Sequence, residues 1–195
     1  MERTAEIERN TKETRIKASL NLDGRGHADI TTGIPFLDHM LTLMAAHGFM
    51  DIAISARGDI EVDYHHTVED LGLVLGEALD KSLGDRKGIR RFGHAVTPMD
   101  DARAEVTIDL SNRPYLVCRL PDSMEPAGPF SPHLVREFCR ALAIRGGMNL
   151  HINVCYGDDP HHIIESVFKS IGRALAQAVG VDARIKGVRS TKGTI

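Results

Sequence analysis

A chain of 195 residues, 42% of them hydrophobic, can bury one substantial core or two small ones, and its net charge of −3 gives no electrostatic case for a nucleic-acid partner. Basic residues gather at 86–91 and 184–192 without interleaved aromatics, so a small anion is the more economical partner. Cys118, Cys139 and Cys155 lie in or beside apolar segments with no Cys-x-x-Cys spacing, and there is neither an apolar leader nor a membrane-length apolar run; these features predict a reduced, cytoplasmic protein with no membrane partner.

In chain order, strands are expected at 5–8, 15–22 and 27–31. An amphipathic helix follows, Pro35-Phe36-Leu37-Asp38-His39-Met40-Leu41 and on through Leu43, Met44 and Ala45, with Gly48 as its stop. Met50, Ile52, Ile54 and Ala56 then alternate with Asp51, Ala53, Ser55 and Arg57, the period-two signature of a half-buried strand. A long helix carries Leu71, Leu75, Ala78 and Leu79. The same order recurs: strands at 93–97, 102–110 and 115–120, a helix from His133 through Leu134, Val135, Glu137 and Phe138 stopped at Gly146, a strand with Leu150, Ile152 and Val154, and a helix with Val167, Phe168, Ile171, Leu175 and Val179. The proline-rich stretch 121–132 is a long loop inside the second half. The chain is therefore an α+β internal duplication of a βββαβα half, with halves at 1–92 and 93–195 forming one compact domain and each sheet covered by two helices.

The duplication carries chemistry. His65-His66-Thr67-Val68-Glu69 recurs 96 residues later as His161-His162-Ile163-Ile164-Glu165. Imidazole and carboxylate at helical spacing suit a divalent transition ion, and two copies suggest two ions. Adjacent helical residues point about 100° apart while residues three or four apart share a face. This favours a crossed arrangement in which His66 and Glu69 join His161 on one ion, and His162 and Glu165 join His65 on the other. His39 lies nine residues before Gly48 and Glu137 nine before Gly146, so the repeat makes them equivalents and adds one to each ion.

Several ordered blocks then resemble one family. Ile34-Pro35-Phe36-Leu37-Asp38-His39-Met40-Leu41, Asp63-Tyr64-His65-His66-Thr67-Val68-Glu69-Asp70, Arg90-Arg91-Phe92-Gly93, Pro98-Met99-Asp100-Asp101-Ala102, Ser111-Asn112-Arg113-Pro114, Gly157 to Glu165, and Ser190-Thr191-Lys192-Gly193 are similar to signature blocks of imidazoleglycerol-phosphate dehydratases. The resemblance spans essentially the whole chain. It implies halves like the second domain of a small-subunit ribosomal protein, and conversion of imidazole glycerol phosphate to imidazole acetol phosphate in histidine biosynthesis. It also implies two manganese ions per active site and a homo-oligomeric shell of 24 subunits with sites between subunits. The implied ligands are His39, His66, Glu69 and His161 for one ion and His65, Glu137, His162 and Glu165 for the other. Many relatives carry His where Glu137 stands, Tyr64 replaces a common acid, and Arg189 precedes the serine where proline is usual.

Removing water from this substrate means taking a proton from a carbon that no carbonyl activates, so the imidazole ring must serve as electron sink. With metal on both ring nitrogens the ring becomes imidazolate-like and expels the hydroxyl through a diazafulvene. Proton transfer falls to Glu13 and His47, both at substrate-contacting positions of the family, with Glu69 a weaker candidate because ligation occupies it. His39, His65 and His161 also adjoin the substrate. Arg91 and Arg113 can meet the phosphate bidentately, and Ser190, Thr191 and Lys192 add donors. Two other readings use the same residues: a dinuclear hydrolase acting through a bridging water, and a metal-storage shell without turnover.

Overall fold

The computed structural model describes residues 3–195, so the first two positions of the 1–92 half lie outside the described residues. Its twelve elements are β1 (Thr4–Asn10), β2 (Thr14–Asn21), β3 (Ala28–Thr31), α1 (Pro35–Gly48), β4 (Asp51–Gly58), α2 (His65–Leu83), β5 (Phe92–Met99), β6 (Ala102–Asp109), β7 (Tyr115–Arg119), α3 (Pro132–Arg145), β8 (Asn149–Tyr156) and α4 (Pro160–Val179). The two halves repeat one topology: sheet order β1-β2-β4-β3 in the first and β5-β6-β8-β7 in the second. In each, three strands run antiparallel and the edge strand, β3 or β7, pairs in parallel with the strand that follows it through a helical crossover. This is the α+β duplication of a βββαβα unit expected from the sequence.

Alternation fixes which face is buried. Ile16, Ala18 and Leu20 of β2 stand opposite Ala56, Ile54 and Ile52 of β4, while Ala104, Val106 and Ile108 of β6 stand opposite Val154, Ile152 and Leu150 of β8. These rows face the helices. Helices α1 and α2 cover the first sheet, α3 and α4 the second, and α1 packs on α4 and α2 on α3, so one continuous apolar core runs through both halves.

The helix crossings explain the glycines. As the glycine stops predict, α1 ends at Gly48 and α3 just before Gly146, with left-handed residues directly after them, Phe49 (φ 53°) and Gly147 (φ 59°). Gly48 is also a point of close approach, since a Cβ there would lie 3.2 Å from the Gly172 carbonyl oxygen; one on Gly172 would lie 2.4 Å from the Met44 carbonyl oxygen. Backbone oxygen cannot yield as a flexible side chain does. Gly172→Ala is therefore expected to destabilise the fold by about 2–3 kcal/mol, lowering Tm by roughly 5–10 °C in a thermal melt.

The 121–132 loop is tied down by Phe130, which is fully buried and tilts against Phe36 of α1 with ring centroids 5.2 Å apart. Among the described residues no helix is long and apolar enough to cross a membrane.

Candidate metal centre and anion cleft

The α1–α4 crossing brings together residues from opposite halves. His39 of α1 and His161 of α4 each place Nε2 at 3.3 Å from Glu165 Oε2, and one ligand atom from each of the three residues lies within 4.8 Å of the others. Phe36 abuts the His161 ring edge-on at 5.3 Å, continuing the contact with Phe130. Glu165 is buried (7% of its side chain exposed) and Lys169, one turn on, contacts its Oε1 at 2.6 Å. Burial works to raise the Glu165 pKa, but Lys169 and His39 outweigh it and hold the carboxyl below its ordinary value. Two imidazole nitrogens and an ionised carboxylate oxygen form a donor set suited to a divalent transition ion.

The second copy builds a related but unequal cluster at the α2–α3 contact. His65 Nε2 lies 3.6 Å from Glu69 Oε2, and Glu137 of α3 is only 12% exposed. Arg140 binds Glu137 and also reaches Glu69 Oε1 at 3.3 Å. His133 stacks on His65 with ring centroids 5.7 Å apart and has Nε2 3.8 Å from Glu137 Oε1. Glu137 thus stands beside the His65 motif as His39 stands beside the His161 motif, in line with the repeat.

Inside one chain both motifs make the same contact. Within each helix the contact is between the first histidine and the glutamate four residues on, not the second histidine and the glutamate three residues on; Glu165 therefore shares a site with His39 and His161. Asp63 Oδ1 and Asp159 Oδ1 each accept the backbone N–H of the first histidine at 2.7 Å; Asp159 is the cap residue of α4, whereas Asp63 lies one residue before Tyr64, which caps α2 without a side-chain bond. The second histidines turn away: His66 Nδ1 lies 3.0 Å from Asp59 Oδ2 and His162 Nδ1 2.5 Å from Asp101 Oδ1. Those carboxylates raise both imidazole pKa values. Asp101, which also accepts the Asp159 and Asp158 N–H groups, is held far below the usual carboxylate range.

Glu13 occupies the β1–β2 turn, 55% exposed, with Oε2 3.9 Å from His66 Nδ1. His47 is in the last turn of α1; partial burial, then Lys169 and Arg173, push its pKa down. The remaining expected residues meet elsewhere. Arg91, Arg113, Ser190, Thr191 and Lys192 line one cleft of about 350 Å³, joined by Ser111 and Asn112. Arg91 already spends its paired donors on Asp109 (Nε–Oδ1 2.6 Å, Nη2–Oδ2 2.9 Å) and gives Nη1 to the Arg189 carbonyl, so it anchors the tail as well as facing the cleft. Asp59, Arg140, His133 and Lys169 were not singled out from sequence. Lys169 four residues after Glu165, and His133 and Arg140 four before and three after Glu137, were legible there as helical neighbours; Asp59 approaches through a tertiary contact.

Comparison with known proteins agrees with this architecture. Residues 32–175 match the family model for imidazoleglycerol-phosphate dehydratase. A curated imidazoleglycerol-phosphate dehydratase of Desulfosudis oleivorans is 55% identical over 195 residues, covering 100% of both chains. The solved imidazoleglycerol-phosphate dehydratase of Staphylococcus aureus superposes with a TM-score of 0.82 at 36% identity, covering 92% of this chain and 99% of that one. A Pyrococcus furiosus IGPD solved as a complex gives 0.85 at 38% identity, covering 97% and 100%. With the family model over most of its length and a relative of this identity over all of it, the chain belongs to the imidazoleglycerol-phosphate dehydratase family.

Proposed function

We propose that the chain dehydrates imidazole glycerol phosphate to imidazole acetol phosphate, a step of cytoplasmic histidine biosynthesis, in sites that carry two manganese ions and lie between subunits of a 24-subunit shell. The observation that carries this reading is the convergence of His39, His161 and Glu165 from opposite halves of the duplication. His65, Glu69 and Glu137 are the counterpart set. His66 and His162 face away from both clusters, which favours their donation to sites completed by a neighbouring subunit.

When bound, the ions, held by the two histidine–glutamate clusters, would act as Lewis acids that keep the substrate's imidazole ring in the electron-donating form that helps hydroxide to leave. The chain's own residues do the rest. Glu13, exposed at the β1–β2 turn, would accept a proton from carbon. His47, held toward its neutral form, can relay a proton to the departing hydroxyl. Glu69, already engaged with His65 and Arg140, is better suited to ligation than to proton transfer. Arg113, Ser190, Thr191 and Lys192 offer the donors that a phosphate needs, while Arg91 fixes the tail around it.

The two clusters are electrostatically unequal. Arg140 already neutralises Glu69 and Glu137, whereas Lys169 backs only the far oxygen of Glu165 and leaves Oε2 to the histidines. Manganese titration of chelator-stripped protein should therefore show two classes of unequal affinity, and Arg140→Gln should narrow the gap. Restoring manganese to two ions per subunit should restore turnover of imidazole glycerol phosphate. Turnover by the stripped protein at the full rate would refute the metal-dependent reading.

A further inference from the structure

The two outward-turned histidines are held by different devices. The second half uses Asp101, the residue immediately before β6, whose Oδ1 is 2.5 Å from His162 Nδ1. Its counterpart, immediately before β2, is Glu13, and Glu13 stays 3.9 Å from His66 Nδ1. The first half uses Asp59, which lies in the segment between Gly58 and His65, a longer segment than that between Tyr156 and His161. Asp59 has no second task for its side chain: Oδ2 meets His66 at 3.0 Å, and Oδ1 is buried without a hydrogen-bond partner. Its backbone N–H donates to the Glu13 carbonyl at 3.1 Å, so the two acids are fixed relative to each other through the main chain.

From this we infer that Asp59 is the positioning residue of His66, and that by taking this duty it leaves the Glu13 carboxylate free for substrate. An imidazole that donates Nδ1–H to a carboxylate is fixed in rotation and tautomer, with an unprotonated Nε2, the form a divalent ion can use; such partners of ligating histidines strongly affect metal affinity. His66 Nε2 makes no hydrogen bond among the described residues, consistent with a ring oriented through Nδ1 alone. The two halves diverge accordingly. In the second half the hairpin acid is consumed in holding the histidine, and in the first an added loop acid releases it. The inference rests on His66 being a metal ligand.

The test is manganese binding to the assembled protein, measured by competition with a chromophoric chelator, for wild type, Asp59→Leu, Asp59→Asn and His66→Ala. Asp59→Leu should weaken one ion per subunit by roughly 10–100-fold while the other is unaffected. Asp59→Asn, which keeps a carbonyl acceptor for Nδ1–H, should stay within about threefold of wild type. Adding Asp59→Leu to His66→Ala should cost nothing more, because Asp59 acts through that ring. Leucine binding as tightly as wild type overturns the inference, as does asparagine falling as far as leucine or a further loss in the double variant. If wild type binds no manganese, the metal reading fails with it; if wild type binds two ions and only the Asp59 pattern fails, the metal reading stands and this inference does not.

Discussion

His161→Ala is expected to lose one manganese per subunit and nearly all turnover while the fold persists. His161 is one of three donors at the α1–α4 crossing, with Nε2 3.3 Å from a Glu165 oxygen that His39 also approaches at 3.3 Å. If a four-ligand site binds its ion with about 10–16 kcal/mol, one ligand carries roughly 2.5–4 kcal/mol, so affinity should fall by about 10²–10³-fold. Stability should change little, because the ring is 46% exposed and sits at the start of a helix whose cap, Asp159, accepts from the backbone rather than the ring. Metal analysis, kinetics and a thermal melt on the same preparation separate these effects. Full metal content with intact turnover would remove His161 from the site.

Deleting residues 188–195 should act in the opposite way, raising KM steeply while leaving two ions per subunit. The tail is clamped just before the cut, where the Gly88 N–H donates to the Gly187 carbonyl at 2.9 Å, so the deletion leaves that anchor in place. It removes Ser190, Thr191 and Lys192 from the cleft they share with Arg113. Hydrogen bonds to a charged group contribute about 1.5–3 kcal/mol each, so losing two or three should raise KM by roughly 10²-fold or more. Lys192→Ala should reproduce part of this, about tenfold. Unchanged KM in the truncated protein would exclude the cleft as the phosphate site.

The architecture was legible because it is written in local spacing. Period-two runs such as Ile16, Ala18 and Leu20 mark strands, and the 96-residue recurrence of His-His-x-x-Glu marks the duplication whatever the tertiary packing. The nine-residue interval that equates His39 with Glu137 counts along one helix, and each of the two lies beside the motif of the other half. Spacing alone does not show which histidine of each pair stands nearest the glutamate within one chain, a contact that the folded helices make through the first. The motif is better written with the upstream acids Asp63 and Asp159 included, Asp-x-His-His-x-x-Glu. The contact of Asp59 with His66 from the loop before α2, and that of Arg140 with Glu69 from α3, are not encoded by any periodicity. The close approach of Gly48 to Gly172 has the same origin, a requirement of the helix crossing that is invisible from either helix alone.

The most direct test supplies manganese-loaded protein with imidazole glycerol phosphate and follows both the ketone and free inorganic phosphate. The expected result is imidazole acetol phosphate formed with no release of phosphate, and loss of that product in a His65→Ala, His161→Ala double variant. Release of inorganic phosphate would identify a dinuclear hydrolase, and metal-loaded wild type that forms neither product would contradict the dehydratase assignment.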